Sequence, residues 1–267
     1  MTTPPRSTTP RPIAALPMYD WPDLTAAHDS LWTLIRDGLS AEGIAAPQTL
    51  DRGIGLWEAW DSPDLLLGQT CGMPYRTRLH GRITLVGTLD YGIEGAPPGF
   101  YRSVLVTRRG DSTDFAGYRD RSLAFNGQDS QSGWAAPQNH AAEHGFRFTH
   151  TLHTGAHRAS ARAVAEGRAD IAAIDAVTWR ILARALPEVV GALQVIGSTA
   201  PTPGLPLITA QGRDPAPLAA ATAAAVERLA PEHRQQLGLC GFAMVPASAY
   251  LAVPTPAPPT QDTPANC

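Results

Sequence analysis

The nine residues Asn126-Gly127-Gln128-Asp129-Ser130-Gln131-Ser132-Gly133-Trp134 combine hydroxyls, an amide and glycines between two regular elements. The strand-like run Ser122–Phe125 leads in, and a helix-like run leads out. The first backbone N–H groups of a helix have no intrahelical acceptor and lie at the positive end of its dipole. Ser130 and Ser132 can add hydroxyl donors to the same point, and Gly133 lets the backbone come close. Together they could hold a tetrahedral oxyanion. The plainer alternative is an ordinary helix cap, for which Ser and Asp are preferred whatever the function.

A second constellation competes with the first. His140-Ala141-Ala142-Glu143-His144 fits the inverted zinc-peptidase pattern, in which two histidines one turn apart bind zinc and the glutamate activates water. His150 and His153 follow closely, but Gly145 stops the helix at once and no downstream helix offers a third ligand. A solvated helix face is the stronger reading, and no metal or other cofactor is expected. There is no G-x-S-x-G elbow and no Walker loop, and Gly53 and Gly55 lack dinucleotide-binding spacing, so catalysis has no sequence support.

Three further segments follow the hydroxyl loop in order: Thr154-Gly155-Ala156-His157, Glu166-Gly167-Arg168-Ala169-Asp170-Ile171-Ala172, and Pro201-Thr202-Pro203-Gly204. Each is weak alone. In this order, from about Ile13 to about Tyr250, they resemble the phosphate, phosphite and phosphonate substrate-binding proteins of ABC importers. The resemblance implies an α/β, two-lobed, type II periplasmic-binding-protein fold, each lobe a mixed sheet flanked by helices and joined by two crossover strands. It implies closure over a small phosphorus oxyanion and delivery to an ABC permease.

It also implies the ligand contacts. Ser130, Gln131 and Ser132 fall on the anion loop, with Gln131 a departure from the family's usual middle hydroxyl. His157 falls on a ligand-contacting histidine, Tyr101 on an aromatic at the lobe crossing, and Tyr19 on a weaker position in the opposing lobe. Asp175 follows a buried strand, where a carboxylate beside an oxyanion makes sense if it accepts a hydrogen bond from P–OH or N–H. Val177 and Leu205 stand where aminoethylphosphonate binders place carboxylates, and Arg158 stands where a glutamate can follow the histidine. A ligand ammonium would therefore find no partner.

The chain has 267 residues, 43% of them apolar, enough for one large domain or two lobes of about 100 residues each. A net charge of −3 offers no basic field for nucleic acid, and arginine without lysine looks like compositional bias. No run is long and apolar enough to span a bilayer. Met1–Pro12 lacks the charged and apolar regions of a signal peptide, so the chain reads as cytoplasmic as written and periplasmic if the start codon is misassigned. A cytoplasmic oxyanion sensor or orphan binding protein of the same fold is thus the alternative, with a zinc hydrolase through His140 and His144 behind it. A monomer is expected. Cys71, Cys240 and Cys267 form no zinc pattern, and a Cys71–Cys240 disulfide requires export.

The elements that must position these residues alternate in the α/β manner. Strands are expected at Ile13–Pro17, Asp64–Leu67, Ile83–Leu85, Tyr101–Thr107, Ser122–Phe125, Phe146–Thr151, Ile171–Ile174 and Leu205–Thr209. Helices are expected at Leu24–Leu39, from Ser132, and at His157–Glu166, Ala176–Ala185, Ala216–Leu229 and Pro231–Leu237. Residues 13–100 with 206–250 would form a discontinuous first lobe and 101–205 a continuous second. The Pro- and Thr-rich ends, 1–12 and 251–267, would be disordered tails.

Overall fold

A computed structural model describes residues 11–259. The described residues divide into two compact units, residues 11–70, 78–90 and 205–245 in one and residues 71–77, 91–204 and 246–259 in the other.

In chain order the first unit begins with strands β1 (Ile13–Ala15), β2 (Leu65–Gln69) and β3 (Ile83–Asp90). The second unit carries β4 (Phe100–Tyr101), β5 (Ser103–Arg108), β6 (Leu123–Phe125), β7 (Thr151–His153), β8 (Ile171–Asp175), β9 (Leu193–Ser198) and β10 (Thr202–Pro203). The first unit is completed by β11 (Pro206–Ala210) and β12 (Gly241–Ala243).

The first unit's sheet runs β1-β2-β11-β3-β12, with β1 parallel to β2 and the remaining pairs antiparallel. The helix Thr25–Ala41 buries Ala27, His28, Leu31, Trp32, Ile35 and Leu39, a stripe at three- and four-residue spacing. It meets the alanine-rich helix Ala216–Arg228 where small residues face each other. A Cβ on Gly38 would sit 3.3 Å from Ala221 Cβ, so the glycine sets how closely the two helices approach.

The second unit's sheet runs β7-β6-β8-β5-β9. β6 is parallel to β7 and β8, and β5 is antiparallel to β8 and β9. Every residue of β6 and β8 is buried, as expected of strands covered on both faces. Leu105, Leu123, Phe125, Trp134, Phe148 and Ile171 belong to one apolar core with Met73 and Tyr118. That core fixes the C-terminal ends of β6 and β8, from which the hydroxyl loop and Asp175 emerge.

Several expectations shift. The strand anticipated at Phe146–Thr151 forms at Thr151–His153, because Phe146 and Phe148 serve the core as buried side chains outside the ladder. β3 extends five residues beyond the expected Leu85 to Asp90, and β9 and β12 were not anticipated. Their segments mix Gln, Gly and Ser with apolar residues and give little alternation to read. Cys71–Thr77 and residues 91–100 belong to the second unit, not the first.

The C-terminal stretch is the larger correction. Leu251 closes the helix Ala247–Leu251, and the prolines after it are held by side chains of the second unit. Asn139 Nδ2 donates to Pro254 O at 3.0 Å, Trp134 Nε1 to Ala257 O at 3.3 Å, and Arg147 Nη2 to Pro258 O at 2.8 Å. Proline-rich chain needs no ladder of its own when its carbonyls find donors. Residues 1–10 and 260–267 lie outside the described part.

Gly87 marks a bulge in the pairing of β3 with β11. Its φ of +150° is outside the range of ordinary residues, and an added Cβ would lie 2.8 Å from Phe242 Cε2. Gly87→Ala should therefore lower stability by about 1–3 kcal/mol, read as a lower urea midpoint with an unchanged slope.

Candidate functional site

The loop after β6 is built to present its residues inward. Ser130 N donates to Gly127 O at 3.1 Å, closing the turn, and Ser130 then adopts the extended backbone of an N-cap, with φ −78° and ψ 128°. Its Oγ accepts from Gly133 N at 3.0 Å. The next five residues, Gln131–Ala135, wind as a single wide π turn closed by Ala135 N to Ser130 O at 3.0 Å, before the helix Ala136–Glu143 begins. All five are buried. Wide turns of this kind occur inside helices where function requires a locally altered backbone. Ser103 Oγ from β5 donates to Ser132 O at 2.9 Å and fixes the turn to the sheet.

Gly133 is required by packing. A Cβ there would overlap Asn126 Oδ1 and come within 3.1 Å of His157 Cε1. The absent side chain lets the loop lie against the ring of His157, and Ser132 Oγ is 2.7 Å from His157 Nε2. His157 opens the helix His157–Ala165, after Gly155 at φ +82° turns the chain. Thr154 Oγ1 ties this second helix start to the end of β6, lying 3.0 Å from Phe125 O and 2.7 Å from Ser160 Oγ.

Burial pushes the His157 pKa down to about 4, only partly offset by the Ala173 backbone. The ring is therefore neutral at pH 7 and carries one N–H. With the proton on Nδ1, Ser132 must donate its hydroxyl to Nε2. With the proton on Nε2, the ring donates to Ser132 Oγ and the serine proton is free to point at an acceptor. Ser130, whose oxygen already accepts from Gly133, keeps its hydroxyl proton for the same purpose.

Gln131 is 1% exposed. Its backbone N–H donates to Cys71 Sγ at 3.3 Å, its Oε1 accepts from Arg76 Nη1 at 2.5 Å, and its Nε2 is buried with no hydrogen-bond partner. Tyr101 is also buried, and its hydroxyl makes no hydrogen bond of good geometry. Burial first, and then the neighbouring Cys71 and Asp175, push its ionisation well above the usual tyrosine range. Ser132 and Cys71 lie near enough to influence the same hydroxyl. Asp175 ends β8 and caps the next helix, its Oδ1 accepting from Val177 N at 2.7 Å and Thr178 N at 3.0 Å. Val177 is buried and apolar, as is Leu205 in the first unit; Arg158 is exposed.

Six of the seven expected ligand residues thus belong to the second unit: Tyr101, Ser130, Gln131, Ser132, His157 and Asp175. Tyr19 is buried in the first unit. Cys71, Arg76 and Ser103 adjoin the site without having been anticipated, and Asn126, the first residue of the hydroxyl loop, faces Gly133. No motif flags the first three, since Cys71 and Arg76 share one distant segment and Ser103 lies on β5, and only the fold gathers them. Cys71 and Cys240 are free thiols, and burial raises the pKa of Cys71.

The histidines of the competing pattern are occupied otherwise. His140 and His144 pack ring to ring at 4.6 Å and both flank Phe115, while His144 Nδ1 lies 2.9 Å from His140 O. Among the described residues no group of three or more His, Cys, Asp or Glu is placed to hold a metal ion.

Two mixed sheets flanked by helices, each with an antiparallel strand inserted among parallel ones, define a type II periplasmic-binding-protein fold. The chain belongs to the phosphonate family of ABC-transporter periplasmic substrate-binding proteins, which it matches over residues 75–243. Its fold is similar to that of XAC2383 from Xanthomonas citri bound to ATP, with a TM-score of 0.67 and 16% identity over 90% of this chain and 93% of that one. PhnD1 from Prochlorococcus marinus in complex with methylphosphonate gives 0.66 and 15% over 90% and 95%. A binding-protein component of an ABC phosphonate transporter from Pseudomonas aeruginosa gives 0.61 and 17% over 90% and 83%. No curated protein sequence matches the chain. No described helix is long and apolar enough to cross a membrane.

The depressed pKa of His157 sets a pH dependence. The unfolded histidine takes up a proton near pH 6.5, whereas the folded one resists until about pH 4. Stability contributed by this group is complete above 6.5 and falls as the pH is lowered towards 4, by up to about 3 kcal/mol. Urea unfolding across that range should show the decline in the native protein and a shallower one in His157→Asn.

Proposed function

We propose that this protein is the substrate-binding component of an ABC importer for a small phosphorus oxyanion: phosphate, phosphite or a simple phosphonate. The observation that carries this reading is the Ser132–His157 hydrogen bond at the start of the π turn, with Ser130 one residue before it. Two hydroxyls and a neutral imidazole beside a helix N-terminus suit an acceptor-rich anion that binds through many short hydrogen bonds. Membership of the phosphonate family supports the ligand class and the export that such a role requires. The family is one of substrate-binding proteins of transporters.

The second part of the proposal concerns what the ligand carries. Within the second unit, Val177 is apolar and buried, and Asp175 Oδ1 is engaged at the cap. A ligand ammonium would be desolvated without a partner, at a cost of several kcal/mol. The site should therefore favour uncharged or absent substituents.

Thermal-shift screening of small oxyanions tests the reading first, since a ligand at a hundred times its dissociation constant adds about 2.7 kcal/mol. Ser130→Ala combined with Ser132→Ala should abolish that stabilisation and leave the ligand-free fold intact, because charge-assisted hydrogen bonds are worth about 1.5–3 kcal/mol each. Unchanged affinity in calorimetry would remove the hydroxyl loop from the site. In competition calorimetry, methylphosphonate, phosphite or phosphate should outbind 2-aminoethylphosphonate by at least about a hundredfold. Equal affinity would mean that a carboxylate receives the ammonium after all.

A further inference from the structure

The second unit holds a guanidinium that faces no acid among the described residues. Arg76 lies partly buried in the segment Cys71–Thr77 and spends its donors on neutral acceptors. Nε donates to Thr255 Oγ1 at 2.9 Å, Nη1 to Gln131 Oε1 at 2.5 Å, and Nη2 to Pro254 O at 3.1 Å. Among the described residues no carboxylate lies within ion-pair distance of it. Burial pulls its pKa down, with Cys71 and Tyr101 acting in the opposite direction. A desolvated cation without a counter-charge is costly unless an anion completes the arrangement.

Arg76 also adjoins the oxyanion loop. Gln131 joins the two, its backbone N–H on Cys71 Sγ and its side-chain oxygen on Arg76. Two nearby groups are buried and lack partners of good geometry, Gln131 Nε2 and Tyr101 Oη. Cys71 neighbours Gln131, Tyr101 and Arg76 alike, which ties the guanidinium to the Tyr101 and Ser132 side of the site. The hydroxyls of Ser130 and Ser132 and the ring of His157 are all neutral donors, so the loop itself brings no full positive charge to an anion.

We propose that Arg76 is the charge-bearing ligand contact of this site, exchanging Pro254 O and Thr255 Oγ1 for two oxygens of the bound oxyanion while Gln131 positions it. The planar fork of a guanidinium suits two oxygens of one phosphorus centre. The exchange replaces neutral acceptors by charged ones at the same donors. The inference rests on the phosphorus-oxyanion reading above.

Calorimetry with methylphosphonate and with inorganic phosphate tests it on the full chain. Arg76→Gln should weaken both by about tenfold to a hundredfold, and Arg76→Lys by less. The native protein should bind phosphate more tightly as rising pH converts it to the dianion, and Arg76→Gln should flatten that dependence. If the native protein binds neither compound, the oxyanion reading fails and this inference with it. If the native protein binds and Arg76→Gln matches it within twofold with the same pH dependence, only the role of Arg76 is overturned. Should the variant not fold by circular dichroism, a crystal structure of the native protein with methylphosphonate decides. A guanidinium within hydrogen-bond distance of a phosphonate oxygen supports the assignment, and one still seated on Pro254 and Thr255 overturns it.

Discussion

The close approach of the Ser130–Gly133 backbone to Asn126 and His157 is the constraint on which the second unit's site depends. It requires a residue without a Cβ at position 133, a wide turn that carries Ser132 inward, and a second helix start that brings His157 to 2.7 Å from the serine. Each requirement is met by a different part of the fold. Ser103 holds the turn from β5, Thr154 ties the second helix start to the end of β6, and the buried ends of β6 and β8 fix where both loops leave the sheet. A shift of any one of these by an ångström would break the serine–histidine contact.

The electrostatics follow from the same burial. Imidazole, phenol and thiol are all held in their uncharged forms by desolvation: His157 is pushed down, and Tyr101 and Cys71 are pushed up. Beside the Asp175 carboxylate, engaged at its helix cap, these groups form a set of neutral dipoles with a guanidinium at their margin. Such a surface favours anions through oriented hydrogen bonds, and it avoids the self-repulsion that a cluster of cations would suffer before the ligand arrives.

Much of this was legible from the sequence because the informative signals are local. Ser-x-Ser-Gly after a strand specifies a cap, two hydroxyls and a close approach within four residues, and Gly155 before His157 specifies a second helix start. The strands β6 and β8 read clearly because they are short, wholly apolar runs. What escaped was either long-range or weakly patterned. Cys71, Arg76 and Pro254 meet Gln131 or each other across 55 to 178 residues of chain, which no spacing rule reaches. β9 and β12 carry too little alternation, and Phe146 and Phe148 imitate a strand while serving as core side chains. The proline-rich segment after Leu251 has the composition of a tail, yet its carbonyls satisfy donors on Trp134, Asn139 and Arg147.

The position of β11 in its sheet bears on how the chain is made. β2 and β3 are not neighbours; β11 lies between them and arrives more than a hundred residues later in synthesis. Until residues 206–210 emerge, the first unit has a gap at the centre of its sheet and two apolar strands with unpaired edges. The second unit waits as well, since residues 254–258 take up donors on side chains translated long before. Neither half can finish before residues 206–210 and 254–258 have been made. Closing such long loops slows folding and prolongs the exposure of strand edges, so the nascent chain must remain soluble until these late segments pair.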